Sequence, residues 1–163
     1  VYYTFLHNYM MMIKMLSSCI NIIHFYSFKS ESKILFYYNI WNTIFIVETE
    51  GLTVCHLGSL NGPLTARQIE ELSSPHILLV PIGGHGSLTA ASAAELVNTI
   101  EPKIFIPMVY AQPGTKAELE PLSTFTTALS LKEPEPQPRL QITKGTLPVE
   151  PEIAVLSPTA TLI

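Results

Sequence analysis

Cysteine and charged residues are both scarce in this sequence. Cys19 and Cys55 are the only cysteines among 163 residues, which excludes a disulfide scaffold, and their spacing excludes a Cys-x-x-Cys zinc or redox pair. Nine Lys and Arg residues against thirteen Asp and Glu residues give a net charge of −4, so no excess of positive charge is available to neutralise a nucleic-acid backbone. We therefore expect a protein of the reducing cytoplasm with no nucleic-acid partner.

Glycine and proline are absent from the first fifty residues. Residues 51–163 hold all eight glycines and all thirteen prolines, whereas residues 1–40 hold ten of the fifteen aromatic residues. A compact domain needs glycine or proline where the chain turns or an element stops. The sequence thus predicts two parts, an apolar aromatic-rich segment of uncertain origin at residues 1–41 and a domain at residues 42–163.

Three interpretations compete for the first segment. Residues 5–28 are apolar enough to suggest a membrane helix, but several polar residues interrupt the run, and polar groups at bilayer depth are costly. A secretory signal peptide would need an uninterrupted apolar stretch and a small-residue cleavage site. We favour the third interpretation, in which the segment is unrelated to the domain, and we expect no membrane attachment. The interrupting residues are His7, Asn8, Lys14, Asn21 and His24.

The pattern after Trp41 is typical of an α/β protein. Short apolar runs predict strands, Gly51 fits a tight turn between the first two, and Thr65 with Gln68 fits a helix N-cap. In α/β folds ligands bind at the carboxyl ends of strands, so the loops after Leu57, Pro81 and Pro107 are the candidate sites. The predicted strands are residues 43–48, 52–57, 76–81, 103–107, 140–143 and 152–156, and the predicted helices are residues 63–72, 89–100 and 116–131.

Isolated polar residues in these loops do not by themselves define a site. Ser59 could be a nucleophile but lacks partners at a triad spacing, and the glycine-rich loop at residues 83–86 could bind an anion but lacks the lysine of a P-loop. Cys55 and His56 are adjacent in a strand, so they point to opposite faces, and we expect the cysteine to be buried. His85 is the better candidate metal ligand, although a single loop histidine is weak evidence.

Several segments together resemble one family. They are NTIFIVETEGLTVCHLGSLNGPLT at residues 42–65, LLVPIGG at 78–84, AAELV at 93–97, EPKIFIPMVY at 101–110 and PQPRLQITKGTLP at 136–148. Over about residues 42–157 this order resembles the C-terminal half of metal-dependent hydrolases of the metallo-β-lactamase superfamily. The resemblance implies an αββα sandwich of which this sequence holds one half, and a zinc or manganese site with ligands from both halves.

The ligand positions of that family are altered here. The family's H-x-H-x-D-H motif has no counterpart in residues 1–41, Ser59 replaces the aspartate of H-L-G-D, and Val109 replaces the histidine of P-M-H-Y. His56 matches the family pattern but only neighbours a ligand, so His56 and His85 are weak metal candidates. The resemblance therefore implies a truncated, degenerate member with no intact catalytic or metal site, no cofactor and no activity. The alternatives are a membrane-associated small protein, or an interaction module that self-associates through an uncovered sheet face.

Overall fold

The computed structural model of this chain describes residues 42, 44–114 and 118–157. The apolar segment at residues 1–41 lies outside the described residues, so the interpretations given for it, including its separation from the domain, stay predictions. The described residues form a mixed α/β fold with one five-stranded sheet in the order β1-β2-β3-β4-β5. The α/β class expected from the sequence is confirmed.

The first two strands form the predicted hairpin. Strands β1 (Phe45–Thr49) and β2 (Leu52–His56) pair antiparallel, with Phe45 opposite His56 and Thr49 opposite Leu52. The two turn residues, Glu50 and Gly51, have φ values of 49° and 76°, as a two-residue type I′ turn requires. Glycine tolerates this conformation at no steric cost, which explains the turn at Gly51.

The remaining strands run parallel to β2. Strand β3 (Ile77–Pro81) lies between β2 and β4 (Ile104–Met108), and β5 (Glu152–Ile153) borders β4. The parallel arrangement places the carboxyl ends of β2, β3 and β4 at one edge of the sheet. This edge is where the sequence predicts a site.

Helices connect or follow the parallel strands. Helix α1 (Ala66–Leu72) begins with the predicted capping box, because Thr65 accepts from the Gln68 N–H and Gln68 accepts from the Thr65 N–H. Helix α2 (Ala90–Ile100) begins after Thr89, which accepts from the Ser92 N–H. The capping box of α1 and the Thr89 cap of α2 each satisfy backbone N–H donors that have no intrahelical partner at the start of a helix. Helix α3 (Leu122–Ala128) completes the set.

The sheet has an apolar cluster on each face. On one face the inward side chains of the strands pack against all three helices, with Phe105 and Phe125 in an edge-to-face contact at 6.1 Å. The other cluster includes Leu140, with partly buried apolar side chains from the C-terminal third of the described chain packed against it. Alternate strand residues therefore contribute to opposite clusters, as a two-residue side-chain period requires. The second cluster comprises Phe45, Val54, Ile77, Leu79, Ile104, Ile106, Met108, Leu140 and Ala154.

Three predicted elements are wrong or too long. The helix expected at residues 116–131 begins only at Leu122, because Pro121 has the extended ψ of 156° and acts as its N-cap. The strand expected at residues 140–143 is absent: Leu140 is a single bridge residue, and a 3₁₀ turn (Lys144–Thr146) follows, closed by the Thr143 and Thr146 hydroxyls. Strand β5 has two residues rather than the predicted five, since only Ile104 and Phe105 of β4 pair with it.

Few large apolar side chains are exposed in the part of the chain that the structure describes. They are Val109, Leu131 and Val149, and none of them lies within a strand of the sheet. The strand side chains of both clusters are buried, so the self-association expected through an uncovered sheet face stays a prediction without an exposed face to support it. Among the described helices, none has both the length and the apolar character needed to cross a bilayer.

Candidate functional site

Three loops form the edge at the carboxyl ends of β2, β3 and β4. We define the strand-end edge as residues 57–62, 82–89 and 109–114 with 118–121. The Leu88 N–H donates to the Leu60 carbonyl at 2.7 Å, and the Glu120 N–H donates to the Gly83 carbonyl at 2.9 Å. These hydrogen bonds join the loop after β3 to its neighbours on both sides.

Two side chains hold the backbone of the loop after β2. Asn42 donates from Nδ2 to the Leu57 carbonyl at 3.0 Å and accepts at Oδ1 from the Ser59 N–H at 2.8 Å. His56 accepts at Nδ1 from the Gly58 N–H at 2.9 Å. Ser59 itself is exposed. Residue 59 is therefore presented to solvent from a loop in which the Leu57 carbonyl and the Gly58 and Ser59 N–H groups are hydrogen-bonded.

His56 is held in its neutral form. Burial lowers its pKa to about 4, because an imidazolium loses the stabilisation of water when it is enclosed. Its ring lies edge-on to the Phe45 ring at 6.5 Å, on the sheet face opposite Cys55, which belongs to the helix-side cluster. Cys55 is fully buried, and desolvation raises the pKa of its thiol to about 12. The two residues therefore point to opposite faces, as predicted, and Cys55 is a small buried side chain.

The loop after β4 carries an unusual backbone conformation. Val109 has a φ of 54°, a left-handed value that is a genuine outlier for a β-branched residue, and its side chain is 48% exposed. A Cβ added to Gly83 would lie only 1.9 Å from the Val109 carbonyl oxygen. Glycine at residue 83 is thus required by the close approach of two backbone segments.

The glycine-rich loop after β3 does not offer an open anion site. Glu120 accepts at Oε2 from the Ala90 N–H, at 3.4 Å, at the start of α2, so a carboxylate of the chain itself lies at the helix N-terminus where an anion would bind. Gly84 has a φ of 65° and would bring a Cβ to 3.1 Å from Glu120 Oε1. His85 is exposed with a φ of 46°, and it has no hydrogen bond to these residues.

The residues of the strand-end edge do not fit a catalytic metal ion. A zinc or manganese site needs several His, Cys, Asp or Glu side chains around one point, and the described residues include no group of three or more of them that could hold a metal ion. Ser59 carries no anionic oxygen, Val109 carries no donor, and the Nδ1 atom of His56 is already occupied. All thirteen acidic residues of the sequence are glutamates, so no aspartate is present to take a ligand position.

The structure places the sequence candidates in two groups. Ser59, Val109 and His85 lie in the three loops of the strand-end edge, whereas His56 lies in β2 beneath it. A further histidine, His76, directly precedes β3 and accepts at Nδ1 from the Thr53 N–H of β2 at 2.9 Å, so it joins the start of β3 to β2. No hydrogen bond joins any two of these candidates.

Sequence reasoning missed Asn42 and Glu120. Both act on backbone groups far along the chain, 15 to 30 residues away. An asparagine directly before an apolar strand, and a glutamate directly before the proline that caps a helix, were the signals available. Neither of these sequence features identifies such a contact without the sheet register that brings the partners together.

Comparison with known proteins gives consistent matches. The family model described as "Beta-lactamase superfamily domain" matches residues 31–109, so the match starts upstream of the boundary predicted at residue 42. UPF0173 metal-dependent hydrolases are similar in sequence. The protein of Archaeoglobus fulgidus is 36% identical over 66 residues, which is 40% of this chain and 29% of the relative. That of Staphylothermus marinus is 34% identical over 97 residues, covering 55% and 42% of the two chains.

A solved structure also matches. It is a Thermotoga maritima protein assigned to the Zn-dependent hydrolases of the metallo-β-lactamase superfamily, and it is 30% identical with a TM-score of 0.60. The match covers 74% of this chain and 60% of that one. This chain therefore spans less than two thirds of the solved relative, and less than half of the two curated relatives it matches.

Proposed function

Because this chain belongs to the metallo-β-lactamase superfamily of metal-dependent hydrolases, we propose that it keeps the superfamily scaffold without holding a catalytic metal ion. On this proposal the polypeptide does not hydrolyse esters, lactones or phosphodiesters. The strand-end edge then serves as a structural remnant of a hydrolase site.

The substitutions at residues 59 and 109 carry this proposal. Both positions lie at the carboxyl ends of parallel strands, where ligands bind in α/β folds. Hydrolysis with a metal ion depends on a bound water whose pKa the cation lowers, and on a full set of anionic or imidazole ligands that retains the cation. Ser59 and Val109 provide neither kind of ligand, and the two histidines upstream of Asn42, His7 and His24, do not have the spacing of the H-x-H-x-D-H motif.

The remaining histidines of the edge do not compensate. His56 accepts a backbone hydrogen bond at Nδ1 and has a pKa lowered to about 4 by burial, so it is fixed in a structural role. His85 is exposed on a loop. A single exposed imidazole binds a divalent cation only loosely, since chelation by several ligands is what produces tight retention.

Metal content and turnover test the proposal directly. The full chain is purified from cells grown with added zinc and manganese, dialysed, and analysed by inductively coupled plasma mass spectrometry. Hydrolysis of a nitrophenyl ester, a lactone and a bis-nitrophenyl phosphodiester is then measured with and without EDTA. We expect substoichiometric metal, and any residual hydrolysis should be insensitive to EDTA.

The opposite result would refute the proposal. Stoichiometric zinc or manganese that survives dialysis, together with hydrolysis that EDTA abolishes and metal restores, would show that the chain assembles a working site despite Ser59 and Val109. The variant Glu120→Gln is a suitable control for nonspecific cation binding, because it removes one half-buried carboxylate that belongs to the strand-end edge. A metal content unchanged by this variant excludes Glu120 as the source of bound cation.

A further inference from the structure

The loop after β2 is fixed by a side chain that lies outside both paired strands. Asn42 precedes β1 and is only 8% exposed. Both polar atoms of its amide are used, one by the Leu57 carbonyl and one by the Ser59 N–H. A buried amide with both atoms bonded holds its partners in one geometry, because leaving any of these groups unpaired would carry a desolvation penalty.

The sheet register explains why Asn42 reaches this loop. Phe45 is opposite His56 in the antiparallel pair, and continuing that register by three residues in each direction places residue 42 opposite residue 59. Beyond His56 the backbone ladder between β1 and β2 ends. The Asn42 amide thus takes the place of the next pair of ladder hydrogen bonds.

We propose that Asn42 is a positioning residue that fixes the backbone of Leu57–Ser59, so that residue 59 is presented at the strand-end edge without help from a metal ion. His56 supports the same segment through Gly58, and the Leu57 N–H is held separately by the Leu79 carbonyl at 3.1 Å. In a metal site the ion itself would hold such a loop through its ligand; here a neutral amide does so. The inference rests on the proposed function only in taking this edge as the site.

Nuclear magnetic resonance on the full, isotopically labelled chain tests the contact. A scalar coupling across the hydrogen bond, between the Ser59 amide nitrogen and the Asn42 side-chain carbonyl carbon, is expected with EDTA present. The Ser59 amide should also exchange slowly with deuterium although the residue is exposed. Absence of this coupling in the unaltered chain would overturn the proposal, whether or not any variant folds.

Variants separate positioning from general stability. In Asn42→Ala, Ser59 amide exchange should accelerate by about tenfold or more, while exchange at Leu57, bonded to Leu79, changes much less. Asn42→Asp keeps an acceptor for the Ser59 N–H but cannot donate to Leu57 when ionised, so its Ser59 exchange should be slower than in Asn42→Ala. The control Asn61→Ala removes an exposed asparagine two residues after Ser59 and should leave Ser59 exchange unchanged.

Two further results would contradict the proposal. Equal Ser59 exchange in the unaltered chain and in a folded Asn42→Ala variant would show that the amide does not hold the loop. Loss of Ser59 protection on adding EDTA would show that a metal ion holds it instead. The cross-hydrogen-bond coupling is independent of metal content, so this inference and the proposed function can fail separately.

Discussion

Gly83 provides the sharpest test of how the strand-end edge is packed. A Cβ at residue 83 would lie 1.9 Å from the Val109 carbonyl oxygen and 3.0 Å from its carbonyl carbon. The obstructing atoms belong to the backbone, so no side-chain rotation relieves the overlap. Gly83→Ala therefore requires the loops after β3 and β4 to separate by more than an ångström, judged against an ordinary van der Waals contact of about 3.5 Å.

The expected cost follows from that separation. Overpacking a close contact costs about 1–3 kcal/mol, and moving the two loops apart also weakens the hydrogen bonds Ile82 N–H to Met108 carbonyl and Glu120 N–H to Gly83 carbonyl, each contributing about 1 kcal/mol. We expect Gly83→Ala to lower the free energy of unfolding by roughly 3–4 kcal/mol. For a domain of this size that corresponds to a fall in Tm of about 10 °C or more.

Gly145→Ala is the matched control. Gly145 lies in the 3₁₀ turn, has no atom within 4 Å of the added Cβ, and does not have a left-handed φ. Its substitution should leave stability unchanged or raise it by up to about 1 kcal/mol through reduced entropy of the unfolded chain. Urea unfolding followed by circular dichroism measures both variants. A Gly83→Ala variant as stable as Gly145→Ala would refute the close approach of Gly83 to Val109.

Three further predictions concern ionisation, reactivity and the altered ligand positions. The pKa of His56 is about 4 in the folded chain and about 6.5 in the unfolded chain, so the free energy of unfolding should be highest above pH 6.5 and fall by about 3 kcal/mol as the pH drops to 4. His56→Gln should flatten this pH dependence, and an unchanged slope would contradict the burial of His56. In a Cys19→Ser variant, the thiol of Cys55 should react with a disulfide reagent only as fast as the chain unfolds, and rapid labelling of the folded chain would show that it is accessible. Ser59→Asp combined with Val109→His should not produce EDTA-sensitive hydrolysis, because two ligands do not retain a catalytic ion; recovery of turnover would mean that other ligands are present.

Much of the fold is encoded by short-range patterns. Glu50 and Gly51 form the type I′ turn that the sequence places between two apolar runs, and Thr65 with Gln68 forms the predicted capping box within four residues. The apolar stripe of α2 is buried as its spacing requires. These features depend on backbone geometry and side-chain period, which operate over a few residues and can be read from the sequence.

The sequence predicted the secondary structure less accurately in the last third of the described residues. A helix was expected at residues 116–131, but Pro121 has an extended backbone and the helix begins at Leu122. Leu140 has the apolar character of a strand residue and is buried, yet it packs under the sheet as part of a turn-rich segment rather than as a strand. Burial against a sheet face needs an apolar side chain but does not need backbone pairing.

The contacts that define the candidate site are set by the tertiary structure. The family resemblance by itself predicts that Ser59 and Val109 replace metal ligands, since it aligns residues without any knowledge of their contacts. It could not show that Asn42 holds the Ser59 backbone, that Glu120 lies at the start of α2, or that Gly83 touches the Val109 carbonyl. These contacts join residues 17 to 30 positions apart, and only the sheet register and the packing of three loops at one edge bring them within hydrogen-bonding distance.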